Sequence, residues 1–186
     1  AAREVWSEIW DDIGPELASV LATGEGTFHK DELLAMYRFG YTEECFFEYT
    51  FNPIQGQDGV VDGVFNIVTE TTYRVLNDRR SRLLQELASK TGSAKTVEEA
   101  YSLIAATLKT DPADIPFALL YRIDPDAEQA QLCRKTHLAS DSRISPEVVN
   151  LTEDNSDGWP IALTARTAQP QEIDDLVSRF GELPSS

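Results

Sequence analysis

The sequence predicts an α+β fold: an antiparallel sheet, a connecting helix, and then a second α+β unit. Three observations carry this. Residues 27–69 contain three runs with strand character, separated by turn residues. At Glu70-Thr71-Thr72 the apolar period lengthens, and Tyr73, Leu76, Arg80, Leu83 and Leu87 then recur at alternating spacings of three and four. Past Gly92-Ser93, a helix-capping pattern precedes two further strand-like runs.

The first element is helical. Trp6, Ile9, Trp10, Ile13, Leu17, Val20 and Leu21 keep helical spacing over residues 4–23, and Gly24 supplies the stop. Gly14-Pro15 is read as an interruption, with Pro15 opening a second helix. Two tryptophans four apart form either a core stripe or a stack for a flat cofactor, and the core stripe is favoured.

Thr27–Tyr37 is read as a strand, although its Leu-Leu-Ala-Met-Tyr portion also suits a helix. Cys45–Phe51 is clearer, because Phe47, Tyr49 and Phe51 alternate with Phe46, Glu48 and Thr50. Gly40 and Glu43-Glu44 mark the intervening turn, and Pro53 confines the end of that strand to an edge or a bulge. Asp58-Gly59 is a hairpin signal, and Val60–Thr69 completes a three-strand meander. The sheet then feeds straight into the Tyr73–Leu87 helix, so a small displacement in one has a path to the other.

Gly92-Ser93 breaks that helix. Thr96 and Glu99 form a capping box, and Val97, Ala100, Tyr101, Ile104, Ala105 and Leu108 make the buried face of the next helix. Phe117–Ile123 and Ala130–Leu138 read as a hairpin turning at Asp124-Pro125-Asp126.

Composition limits the function. With 41% hydrophobic residues the 186-residue chain can bury a core. Acidic residues outnumber basic ones 32 to 16, for a net charge of −16, which repels phosphate backbones and anionic lipid. No nucleic-acid or membrane partner is therefore expected. No apolar run approaches the roughly 20 residues that span a bilayer. The first residues lack a secretion-signal pattern. Cys45 and Cys133 lie in unrelated segments, so they read as separate thiols in a reducing cytosol.

In order, the segments W-x-E-I-W-x-x-I-G-P, V-L-x-T-G-E, Y-R-x-G-Y-x-E-E-x-F-F, N-P-I-x-x-x-x-G-x-V-x-G-V-F and T-E-T-T-x-R-V-L resemble the C-terminal half of a PAS sensor domain. Glu70-Thr71-Thr72 matches the acidic-x-Thr signature closing that family's last strand. Phe117–Asp126, with the later W-P-I-A and Asp174–Pro184, resembles the opening part of a GAF domain. The resemblance implies residues 1–72 as a partial PAS domain, 73–92 as a signalling helix and 93–186 as a partial GAF domain. It implies a cytoplasmic PAS/GAF sensor histidine kinase as the parent protein, with the kinase core lying outside these residues. The opening PAS strands and the closing GAF strands are likewise expected to lie outside them, so no bound flavin, haem or bilin is carried over. The purified chain should be colourless.

No GxGxxG, GxSxG or HExxH motif occurs. Asp11-Asp12, Glu43-Glu44 and Asp174-Asp175 are sequence neighbours, which neither a strand nor a helix turns into one paired-carboxylate site. His29 reads as a surface or strand-start residue, and Cys133 as a core or edge thiol. No catalytic, cofactor-binding or metal-ligating residue is assigned. Asn150–Gly158 reads as a polar loop, either open to a ligand or simply solvated, and the solvated reading is favoured.

The residues expected to carry function are Glu70 and Thr72 at the sheet exit, and Tyr73, Leu76, Arg80, Leu83 and Leu87 on the helix. Tyr73, Arg80 and Leu87 take a positions and Leu76 and Leu83 take d positions of a parallel two-stranded coil. A homodimer through this helix is expected, with an output domain downstream. Phe47, Tyr49, Phe51, Phe65 and Ile67 are expected to be covered by a second copy or by the GAF half. A stand-alone small-molecule-binding protein, with one pocket formed between the two halves, is the alternative.

Overall fold

The computed structural model describes residues 2–123, 128–138, 144–152, 158–181 and 183. The chain is α+β and divides into two units, Ala1–Arg79 and Arg80–Ser186.

The first unit opens with α1 (Ala2–Val5), a 3-10 turn at Ser7–Ile9 and α2 (Trp10–Thr23). Gly14-Pro15 does not interrupt the helix as expected: α2 runs through both residues, and the break falls earlier, at Trp6. Gly14 is required for a different reason. A Cβ there would sit 2.7 Å from Cε2 of Trp10, so the missing side chain makes room for the indole one turn back. Gly24 ends α2 in the left-handed region, at φ +72°, and its N–H donates to the Val20 carbonyl.

The sheet follows as β1 (Thr27–Arg38), β2 (Tyr41–Gln55) and β3 (Val61–Glu70), an antiparallel meander in the order β1-β2-β3. The first turn is narrower than expected. Phe39 and Gly40 both have positive φ and form a two-residue hairpin closed by the Arg38–Tyr41 pair, while Glu43 and Glu44 already lie within β2. Pro53 sits in β2 beyond the last β1 partner, where the strand has one neighbour, and the ladder to β3 shifts register just after it.

The alternation on β2 sets the core. Cys45, Phe47, Tyr49 and Phe51 face α2 and pack with Ile9, Ile13, Val20 and Leu34. The unit's own helix therefore covers these three aromatics, so neither a second copy nor the other unit is needed for them. Each contributes about 1.5–3 kcal/mol of burial. The opposite face is barer. Phe65 and Ile67 are 55% and 56% exposed in the single chain, and Phe28 and Leu33 also lie open.

α3 (Thr72–Gly92) starts one residue after β3, and the division between units falls inside it. The second unit continues with α4 (Val97–Leu108), whose Thr96 side chain accepts from the Glu99 N–H at 3.1 Å. The Glu99 carboxylate reaches back to the Lys95 N–H at 2.8 Å, closing the capping box one residue early. Val97 lies exposed, off the packed face, while Thr107 is fully buried on it; the stripe runs through Ala100, Ile104 and Thr107.

β4 (Ala118–Ile123), β5 (Gln129–Thr136) and β6 (Val148–Asn150) form the second antiparallel sheet, in that order. The expected Asp124-Pro125-Asp126 turn lies outside the described residues. α4 packs on β4 and β5, and α5 (Ile161–Thr167) and α6 (Leu176–Phe180) follow. The sequence patterns above assign no element to the short β6 or to these two helices.

Candidate functional site

The exit of the first sheet is a fastened junction. The Thr71 N–H donates to the Phe46 carbonyl at 2.7 Å, extending the β2–β3 ladder past the last strand residue. The next residue replaces a ladder carbonyl with a side chain: Thr72 Oγ1 accepts from the Phe46 N–H at 2.9 Å. The same hydroxyl donates to Glu70 Oε1 at 2.9 Å. Glu70 in turn receives Arg38 Nη1 at 3.1 and 3.2 Å, one contact to each carboxylate oxygen. The end of β3 is thereby tied across β2 to the end of β1. The Arg38 bond, assisted by Thr72, holds the Glu70 carboxyl below the usual carboxylate range. The Arg38 guanidinium is pushed up by the same bond.

A second set of contacts fixes the first turns of α3. Asp31 occupies a bulge in β1 at φ 55°, where the register slips between His29 and Glu32. Its carboxylate accepts from Thr71 Oγ1 at 2.8 Å and pairs with the Arg74 guanidinium. Arg79 Nη2 donates to Glu44 Oε2 at 3.0 Å. Sequence reasoning identified Glu70 and Thr72 but missed Asp31, Arg38 and Glu44. The available signal was His29-Lys30-Asp31-Glu32, four consecutive polar residues ahead of the apolar Leu33–Tyr37 run.

The helix residues do not form one open stripe. Tyr73 is 82% exposed, Leu76 and Leu87 are half-buried, and Leu83 is buried with one chain present. Arg80 Nε donates to Asp114 Oδ1 at 3.3 Å within the second unit, and that carboxylate is nearly buried. Leu84 is the exposed leucine of this stretch, at 66%.

The second unit contains an apolar cavity of about 580 Å³ between β4 and the α5–α6 layer. Phe117, Leu119, Tyr121, Trp159, Ile161 and Ile173 make its walls. The two polar aromatic atoms are engaged with main-chain carbonyls: Tyr121 OH donates to Pro146 at 2.6 Å and Trp159 Nε1 to Ile144 at 2.6 Å. Trp159 also stacks on Phe180, with ring centres 4.4 Å apart. Burial pushes the Tyr121 hydroxyl up to about 12.

The remaining candidates have structural surroundings. His29 is the third residue of β1; its ring stacks on Tyr49 at 4.8 Å, and Nε2 lies 2.6 Å from Glu16 Oε1. Cys133 is half-buried within β5. Trp6 and Trp10 are half-buried and line a groove of about 360 Å³ in the first unit, together with Leu17 and Val64. Of the polar loop 150–158, residues 153–157 lie outside the described residues. Among the described residues no helix is long and apolar enough to cross a membrane. Compared with protein-family models and with the curated proteins, the chain matches none.

Proposed function

We propose that this chain is a non-catalytic sensory and signal-transmission segment of a cytoplasmic multidomain regulator. Its type is a PAS domain joined by a signalling helix to a GAF domain, as in sensor histidine kinases. The observation that carries this reading is the β3–α3 junction. A strand passes into a 21-residue helix across one residue, and that helix is shared between the two units. The polar contacts at the junction involve all three strands of the first sheet, so a shift of any strand alters the start of α3. The scattered acidic surface keeps nucleic acid and anionic lipid away. The helix serves a homodimer, and the output domain lies further along the parent chain.

The test is hydrogen exchange on the 186-residue chain. Glu70→Gln removes the charge that Arg38 grips while keeping the side chain's shape. Faster exchange is expected in the first turns of α3 and again beyond Arg80, with β6 and α5 unchanged. If the effect stops before Arg80, the transmission reading falls. The reading frame encoding these residues is expected to continue into a histidine-kinase core. A second reading, a small-molecule-binding protein, is favoured by one observation, the cavity beside β4; the site it uses lies within the second unit.

A further inference from the structure

The geometry points to the cavity between β4 and α5 as a binding site for a neutral, flat, largely apolar small molecule. The inference rests on the sensory reading, for which it supplies the class of signal, and it deepens that reading by excluding anionic ligands. Its volume of about 580 Å³ falls within the range of small-molecule sites, roughly 300–1,000 Å³. The walls are aliphatic and aromatic, and the ring of Trp159 is held in place by its bond to Ile144 and its stack on Phe180. A fixed aromatic plane beside Leu119 and Ile161 selects a flat, apolar body.

Charge decides the class. Among the described residues, none of those lining the cavity is charged, in a chain whose net charge is −16. A phosphate, sulfonate or carboxylate would lose its hydration here and find no cation in return. It would also approach against the field of the whole chain. The hydroxyl of Tyr121 and the indole N–H are spent on main-chain carbonyls, so the interior offers few hydrogen bonds. Thr164 and Gln171 are polar lining residues, both solvent-exposed; Thr164 Oγ1 donates to the Pro160 carbonyl at 3.0 Å and Gln171 Nε2 to the Gln169 carbonyl at 3.3 Å, which leaves their side-chain oxygens as acceptors at the mouth. The ligand's apolar body therefore lies inside and any polar group lies at the opening.

A matched pair of fluorescent probes tests this on the whole chain: N-phenyl-1-naphthylamine, which is neutral, and 1-anilinonaphthalene-8-sulfonate, which adds one anionic group to the same rings. The neutral probe is expected to saturate at one per chain and to bind at least about tenfold more tightly than the sulfonate. Ala165→Trp at the exposed mouth should fill the opening and weaken the neutral probe about tenfold or more, with an unchanged circular dichroism spectrum. Leu119→Gln, which adds an amide to the wall, should act in the same direction. Equal affinity for both probes overturns the ligand class while leaving the site in place. Absence of saturable binding below ~100 μM, or binding untouched by both variants, overturns the site itself. Neither result touches the hydrogen-exchange test of the junction, so the two readings fail separately.

Discussion

Replacing Thr72 by Val tests the junction where its hydrogen bonds converge. Valine keeps the β-branched shape and removes one oxygen. That oxygen accepts from the Phe46 N–H at 2.9 Å and donates to Glu70 at 2.9 Å. Phe46 is half-buried, so its amide loses a partner in a place where water is only partly available. Leaving such a donor unsatisfied costs about 1–3 kcal/mol, and partial exposure puts this case near about 1–2 kcal/mol. That corresponds to about a 5–30-fold rise in the local opening constant. Native-state hydrogen exchange reads it directly at the Phe46 and Val75 amides, the latter bonded to the Thr71 carbonyl at 3.0 Å. Thr72→Ser retains the hydroxyl and should leave both amides protected to within a few-fold. If Phe46 exchanges no faster in the Val variant than in the Ser variant, the hydroxyl does not hold the junction and the argument is refuted.

Three further outcomes are expected. Gly14→Ala should destabilise the first unit although alanine is the better helix former: the gain of about 1 kcal/mol is set against overpacking of about 1–3 kcal/mol on the Trp10 indole. A raised melting temperature would contradict it. Because the Glu70 carboxyl is held below its unfolded value, its contribution to stability is complete above pH ~4.3 and is lost as pH falls through the lower folded value. An NMR titration should show the Glu70 midpoint moving upward in Arg38→Gln, and an unmoved midpoint would remove Arg38 as the cause. Leu84→Ser should weaken self-association in light scattering without changing the fold, whereas Leu83→Ser should damage the fold itself.

The first sheet was legible because its signals are local. Cys45–Phe51 alternates without interruption, and Gly40, Asp58 and Gly59 mark the turns. Gly14-Pro15 misled because the pair was judged by backbone propensity alone. Gly14 is there for the Trp10 side chain, and a ring packing one turn away leaves no mark in a propensity scale. Val97 failed for a related reason: helical spacing selects a face, and Thr107, a polar residue, turns out to define the buried one. The junction was half visible. Glu70 and Thr72 stand beside the change of period, but Arg38, Asp31 and Glu44 come from strand positions 26 to 41 residues earlier and are brought there only by the sheet register. The cavity beside β4 was not legible, since its lining comes from a strand, a helix start and an irregular stretch with no shared spacing. Phe117-Ala118-Leu119-Leu120-Tyr121 reads equally well as the interior of a filled core.

The burial of Leu83 changes which side of α3 a second helix would meet. The sequence pattern places the seam at a and d, with Leu76 and Leu83 supplying the d contacts. In the single chain Leu83 is already buried, and Arg80, the central a residue, is engaged with Asp114. The open apolar residues are instead Tyr73 and Leu84. They are eleven residues apart, which at about 100° per residue brings them within about 20° of one another and about 16 Å apart along the axis. In heptad terms these are an a and an e position, so the stripe is turned by about 50° from the a–d seam. The Arg80 pair bears on the same point. A guanidinium bound to a nearly buried carboxylate is not free to face its copy across a dimer axis, which lessens the penalty that a central arginine brings to a coil. A dimer built on this face would therefore leave the second unit's core intact, and the Leu83 and Leu84 variants separate the two geometries. Loss of association in Leu84→Ser with native circular dichroism supports the turned stripe. Association that persists in Leu84→Ser and disappears only when Leu76 is replaced would return the contact to the a–d seam.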